Sequence, residues 1–320
     1  AVSRRRKLKN MKKINLLIGT FLTTVALSHA VDSYSDVVGY SKVNAASGTV
    51  LIVPGFVKAS KYSGSATISG QYLSATGLTA GALNTSNYSD RPNYPTHYVE
   101  ITAGTYEGYS FDIVSNTAGQ ITAVGIPSAL NGQTVSIVVR PHVTLDDLLA
   151  PGLADYTDAV NIINPDGSST TRFYASNSWL AEDFATPAGH TVIYPGSGYT
   201  LTSGGVTLTT TGVVKATKTA VPLYSAAVNY VGPMNPGGNS KVNNLGIAPV
   251  LAPYTDGFNV ASNDGNMQTT ATYFSDGAGI LDSGFSNLDP NATDNVTSNA
   301  GFTVSVSADG YWIMPSPLGN

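Results

Sequence analysis

The chain has 320 residues, 20 of them acidic and 16 basic, with no cysteine and only 11% charged residues. The lack of cysteine excludes disulfides, thiol nucleophiles and iron–sulfur clusters. Seven of the sixteen basic residues fall in the first thirty positions and no acid does, so residues 31–320 hold 9 basic against 20 acidic groups, a balance of −11 that excludes nucleic acid as the expected partner.

Residues 1–10 are basic, and Met11 opens M-K-K-I-N-L-L-I-G-T-F-L-T-T-V-A-L-S-H-A30. Lys12 and Lys13, an apolar centre from Ile14 to Leu27 and the small-residue end Ser28-His29-Ala30 read as a secretory signal peptide, with Val31 as the mature start. That centre, about 14 residues, is short for a bilayer span, and no later apolar run reaches about 18, so no transmembrane span is expected in the mature chain. The expected location is outside the cell, on its outer surface or in a periplasm.

Strand signals follow. Y98-V-E-I-T102, F111-D-I-V114, Q120-I-T-A-V124 and V135-S-I-V-V139 alternate with period two between Gly, Asn and Pro. Thr144, Asp147 and the Leu145/Leu148/Leu149 face predict a short helix ended by Pro151-Gly152. A second is expected with Asn243 or Asn244 as its cap and Leu245 and Ile247 as its face. Tyr199–Thr210 and Phe302–Ile313 read as hairpins turning at Gly204-Gly205 and Asp309-Gly310. N164-P-D-G-S168 and N263-D-G-N266 read as turns.

One phrase is written twice. A150-P-G-L-A-D-Y-T-D-A-V-N161 and A248-P-V-L-A-P-Y-T-D-G-F-N259 agree at eight of twelve positions, 98 residues apart. A188-G-H-T-V192 against A300-G-F-T-V304 extends the match at an offset of 112, which pairs His190 with Phe302. Val38–Val43 and Thr49–Pro54 echo Val213–Thr217 and Val228–Gly232, so each half is expected to open with a strand pair. The expected architecture is mostly β: two tandem β-sandwich or barrel-like modules with one short helix each, and a small inserted β-barrel-like domain in the first. The boundaries are 1–30 for leader and upstream residues, 31–57 with 141–212 for the first module, 58–140 for the insertion and 213–320 for the second module.

Chemistry-bearing groups are few. His97, His142 and His190 lack metal-ligand spacing; His142 reads as a strand-end residue and His190 as a packing ring. Glu100 and Glu107 could face each other across a hairpin as a glycosidase pair, but a Gly-rich turn favours a solvated face; Glu182 is the remaining glutamate. Asp158 and Asp256 could take a cation or a sugar hydroxyl beside Tyr156 and Tyr254. Read as scaffold, the Asp and Thr of the phrase satisfy backbone donors while Tyr packs, which the kept Leu153/Leu251 spacing favours. Asp289, Asn291 and Asp294 offer calcium-type oxygens without the customary Gly and distal Glu. Otherwise no cofactor is expected.

V37-V-G-Y40, G104-T-Y-E-G-Y-S-F-D-I-V-S-N-T117 and V138-V-R-P-H-V-T-L145 together resemble a paralogous family of exported proteins of unknown role from Verrucomicrobium-type bacteria. The resemblance implies export and a β-rich fold, and supplies no activity. The expected function is a non-catalytic secreted or surface protein, structural or adhesive, partnering itself or envelope and matrix proteins through open strand edges. Alternatives are a polysaccharide binder that stacks sugars on Tyr or an exposed Trp179, with Trp312 in the core, and a secreted hydrolase.

Overall fold

The computed structural model describes residues 37–164, 166–235, 240–246, 251–288, 295–296 and 301–318. The fold is mostly β. β1 (Val38–Ala45) and β2 (Gly48–Ile52) are followed by β3 (Tyr62–Ser69), β4 (Tyr72–Ser74), β5 (His97–Ile101), β6 (Ser110–Asn116), β7 (Gln120–Ala123) and β8 (Thr134–Pro141). The last six close into a barrel in the order β3-β4-β7-β6-β5-β8. Period-two alternation sends Ile68, Leu73, Val99, Ile113, Ile121 and Val139 inward, where none is more than 1% exposed. β3 and β8 pair from Tyr62↔Val139 to Thr67↔Thr134, so the chain enters and leaves the barrel side by side.

Next come β9 (Val143–Thr144), β10 (Ala159–Ile163), β11 (Ser169–Ala175), β12 (Ser178–Leu180), β13 (Val192–Ile193), β14 (Tyr199–Ser203) and β15 (Val206–Val213). They build a five-stranded sheet, β12-β11-β10-β14-β2, beside the pairs β9–β13 and β1–β15. Then follow β16 (Thr219–Leu223), β17 (Asn229–Val231), β18 (Ser240–Lys241), β19 (Gly257–Ala261), β20 (Thr269–Ser275), β21 (Ile280–Leu281), β22 (Asn295–Val296), β23 (Phe302–Val304) and β24 (Gly310–Met314). They form β21-β20-β19-β23-β17 beside β18–β22 and β16–β24. Strand for strand the two orders coincide, with the barrel placed between β2 and β9. Val160 faces Arg172 and Leu201 in the first sheet as Phe258 faces Tyr273 and Val304 in the second. Each sheet has its own apolar core.

Several sequence expectations change. The two short helices are single 3-10 turns, Leu145–Leu148 and Val242–Asn244. Thr144 and Asp147 do form the expected capping box, whereas Asn243 and Asn244 lie within the second turn and do not cap it. The sharp turns after Ser203 and before Gly310 do not make hairpins, because β14 and β23 join the five-stranded sheets while β15 and β24 pair with β1 and β16. Alternation marks these strands as half-buried but carries no information about their partner. For the same reason β1 and β2 do not pair with each other. β16 begins at Thr219, beyond the Val213–Thr217 segment expected to be a strand. Trp179 is 1% exposed, not a surface ring. Its Nε1 donates to the Leu145 carbonyl at 3.0 Å, and the Trp312 Nε1 donates to the Leu245 carbonyl at 3.1 Å. Each indole thus ties a sheet core to the turn that leads into the doubled phrase.

The parts are fastened at the segment joining β15 to β16. Lys215 is 1% exposed, and its Nζ lies 2.7 Å from Glu100 Oε1 on barrel strand β5. Nζ also donates to Thr217 Oγ1 at 2.7 Å and to the Lys218 carbonyl. The Thr217 hydroxyl donates to Glu100. Burial lowers the Lys215 pKa, with the Glu100 charge opposing it. Glu107 holds Lys218 at 3.3 Å, and the Ala220 amide donates to the Gly108 carbonyl at 3.1 Å. The sheets also meet through backbone. Gly198 N donates to Tyr230 O at 2.7 Å, and Thr49 N to Gly265 O at 2.7 Å. A Cβ on Gly265 would stand 1.8 Å from the Ser47 carbonyl oxygen, so only glycine fits there.

Lys215→Met removes the nearest cation from buried Glu100, leaving it Arg140 at 3.9 Å and the Thr217 hydroxyl, and is expected to cost about 3–5 kcal/mol in urea unfolding, with Lys215→Met/Glu100→Leu recovering most of it. A single variant as stable as the parent would show that the pair does not fasten the barrel.

Candidate functional site

The titratable groups that the sequence singles out fall into separate networks. Glu100 and Glu107 form neither a catalytic pair nor a solvated face, since each meets its own lysine at the barrel junction. Glu182 is exposed in a loop. His97 Nδ1 lies 2.7 Å from Thr96 Oγ1, and burial, helped by the charges of His142, Lys61 and Lys58, lowers its pKa to about 4. His142 is buried with Nε2 at 3.1 Å from Asp112 Oδ1, while Asp112 Oδ2 accepts the Tyr194 hydroxyl at 2.8 Å. His190 Nε2 lies 2.9 Å from Asp90 Oδ1, and its ring stacks on Tyr88 at 3.7 Å. Its pairing with Phe302 does not hold. Phe302 sits on β23 between β17 and β19, the place that Tyr199 takes between β2 and β10, whereas His190 precedes β13. Among the described residues no group of three His, Asp or Glu side chains is placed to hold a metal ion. Asp289, Asn291 and Asp294 lie outside the described residues.

The doubled phrase behaves in two ways at once. Its aspartate is scaffold. Asp158 Oδ2 accepts the Ala154 amide at 2.9 Å, and Asp256 Oδ2 accepts the Ala252 amide at 3.0 Å. The Asp158 and Asp256 amides return to the Ala154 and Ala252 carbonyls at 3.1 and 3.0 Å. Both aspartates are buried, and each closes its own turn through these paired bonds. Burial works to raise the Asp256 pKa, but bonds from Ala252 and Ser307 outweigh it and hold the group below its usual range.

The tyrosine of the same phrase stays largely in solvent instead of packing in the core. Tyr156 is 60% exposed and Tyr254 58%. Each turn forces its tyrosine into the left-handed region, with φ of 59° and 58°. Each amide is anchored to a strand, Tyr156 N to the Tyr174 carbonyl and Tyr254 N to the Ser275 carbonyl, both at 2.8 Å. A second aromatic meets each tyrosine. Phe184 and Phe285, 43% and 48% exposed, also have positive φ, at 55° and 60°. The Tyr156–Phe184 and Tyr254–Phe285 ring centroids are both 6.1 Å apart, tilted by 53° and 49°. Beneath each phenylalanine lies a strand ring, Phe173 at 4.5 Å or Phe274 at 4.7 Å. Phe274 itself lies over Gly257, where a Cβ would come within 3.1 Å of the ring. Ala159 takes the equivalent place opposite Phe173.

The loops that present the phenylalanines are also fixed by aspartates. Asp183 Oδ1 accepts the amides of Ala185 and Thr186 at 3.0 and 2.9 Å, and its Oδ2 the Thr186 hydroxyl at 2.6 Å. The Thr186 hydroxyl foremost, then the Thr186 and Ala185 amides, lower its pKa to about 2. Asp282 Oδ1 accepts the amides of Gly284 and Ser286 at 2.8 and 2.9 Å.

Eight described non-glycine residues have positive φ, and four of them are these aromatic residues. An L-residue in this region carries about 1–2 kcal/mol of strain, and a bulky ring is rarely found there. Of the eight described phenylalanines, Phe184 and Phe285 are the exposed pair. Strained backbone under exposed rings is the kind of outlier that clusters at functional surfaces. The sequence carries a trace of them: L180-A-E-D-F184 matches L281-D-S-G-F285 at an offset of 101, as does Phe173 with Phe274. That offset differs from the 98 of the doubled phrase, which is why comparison at one spacing misses it.

The chain matches no family model, no curated protein and no solved structure.

Tyr156→Asn places a residue suited to left-handed backbone and is expected to leave stability unchanged or raise it by about 1 kcal/mol. Asp158→Ala leaves the Ala154 amide unpaired and is expected to cost about 1–3 kcal/mol in the same denaturation assay. A Tyr156→Asn loss of that size would make the ring structural. NMR titration of the Asp183 carboxyl carbon should give a midpoint near 2. Because the folded value is depressed, the loop's bonds are complete above the ordinary carboxylate range and are lost as pH falls from about 4 toward 2. A midpoint near 4 would mean that the three bonds do not form in solution.

Proposed function

We propose that this is a non-catalytic, exported adhesive protein, built from a duplicated unit, that contacts its partner through two equivalent aromatic platforms: Tyr156, Phe184 and Phe173 on one sheet, Tyr254, Phe285 and Phe274 on the other. The observation that carries this is the pair of strained, exposed ring sets with matching geometry. Everything around each set serves to hold it still: buried aspartates close the turns, and loop aspartates fix the phenylalanines. The matching strand orders of the two sheets support the duplication. Export is supported by the basic start, apolar centre and small-residue end of residues 11–30, and by the resemblance to an exported family.

Adhesion through rings differs from assembly through strand edges. The strands that border each platform, β12 and β21, are three and two residues long and are capped by bridges Leu180↔Pro187 and Leu281↔Asn287. Little ladder is left there for a second chain. The platforms are thus the better contact surface.

The full chain is expected to bind saturably to envelope or extracellular-matrix material of the producing cells and to turn over no glycoside, ester, peptide or phosphate substrate. Replacing Tyr156, Phe184, Tyr254 and Phe285 together by Asn should abolish binding without unfolding the protein. Unchanged binding by that variant, or turnover of any of these substrates, would overturn the proposal.

A further inference from the structure

We infer that each platform takes a sugar ring of a neutral polysaccharide, so that one chain carries two independent sites for the same polymer. This rests on the platform reading above and goes on to assign the chemistry of the partner.

Size is the first consideration. Three rings of about 150–250 Å² each, only partly exposed, fall well short of the roughly 800 Å² per partner that a stable protein interface covers. A pyranose is a much smaller object. Its C–H face lies flat on one or two aromatic rings while its hydroxyls point sideways to solvent and to nearby polar groups. In each platform two exposed rings stand 6.1 Å apart with their planes tilted by 53° or 49°, an apolar patch on the scale of one or two sugar rings.

Charge is the second. Neither turn segment, 150–159 or 248–257, contains a lysine or arginine, and neither do the loops 181–187 and 281–288. Residues with hydroxyls and carboxylates stand on these segments instead: Thr157, Asp155 and Glu182 in the first, Thr255 and Asp282 in the second. These segments offer an anionic polymer no cation of their own, whereas neutral hydroxyls find acceptors on them.

Rigidity and number complete the case. A tyrosine or phenylalanine on a closed turn loses few torsions on binding, so even a small contact retains most of its gain. Each site alone is weak. A polymer that repeats the same sugar lets two such sites act together, while a short oligosaccharide does not.

The test uses the full chain and insoluble cellulose, β-1,3-glucan, mannan and xylan, with polygalacturonate as the anionic comparison. Retention on at least one neutral polymer, unaffected by 1 M salt, is expected. Calorimetry with a short oligosaccharide of the retained polymer should give two sites per chain. Tyr156→Asn/Phe184→Asn should leave one site of unchanged affinity and weaken polymer retention by about tenfold or more through lost avidity. Adding Tyr254→Asn/Phe285→Asn should abolish both. Three outcomes would each overturn the inference: no neutral polymer retained, retention unchanged in the quadruple variant, or retention on polygalacturonate alone that salt removes. If wild type instead self-associates and the quadruple variant does not, with no sugar bound, the rings serve a second copy. In those cases the variant's loss of binding to envelope material decides separately whether the platforms are adhesive at all.

Discussion

A lysine buried against a glutamate holds the three parts of this chain in one body. Lys215 belongs to the segment between the two sheets, Glu100 to the barrel, and neither side chain is more than 2% exposed. Desolvating two charges costs several kcal/mol each unless geometry and extra hydrogen bonds offset it. Here Thr217, the Lys218 carbonyl and Arg140 gather around the pair and supply that offset. The consequence is specificity of placement. The barrel has no free strand edge and so no ladder through which to join its neighbours; polar groups on its surface have to do that instead. Asp112 with His142 and Tyr194, and the Val192 amide donating to the Tyr94 hydroxyl at 3.0 Å, continue the same principle along the junction.

The doubled phrase sets one side chain inward and another outward within three residues. Its aspartate faces inward and closes a turn. Two positions earlier its tyrosine is pushed outward by the conformation which that closure imposes. Buried carboxylate and exposed ring are thus two results of one closed turn. The phenylalanine loops repeat the logic with aspartates at the surface. Strain at four aromatic positions is tolerated because the hydrogen bonds beneath leave the backbone no other course.

Much of the fold was legible. Val99 and Ile101, or Phe111 and Ile113, alternate as strands must, and the barrel strands fall where those runs lie. Thr144 and Asp147 announced their capping box. What was not legible was partnership. Tyr199 and Phe302 read as hairpin residues, yet their strands leave their sequence neighbours for other sheets, because a half-buried strand looks the same whichever neighbour it has. Trp179 lies between the repeated segments and reads as exposed, but an indole bond to the Leu145 carbonyl and a place in the sheet core bury it. Tyrosine exposure at 156 and 254 was hidden for the opposite reason. Nothing in Y-T-D states the sign of φ, which is set by the inward aspartate four residues beyond the alanine whose amide it holds.

The entry and exit strands of the barrel, paired from Tyr62↔Val139 to Thr67↔Thr134, have a consequence for how such a chain can change. Whatever lies between residues 58 and 141 leaves and rejoins its host at a single doorway, so its length and content are decoupled from the sheet on either side. The first sheet keeps the strand order of the second, although the second has no such passenger at that point. The doorway is thus a socket: a different compact cargo with adjacent ends could be housed there while the aromatic surfaces stay where they are.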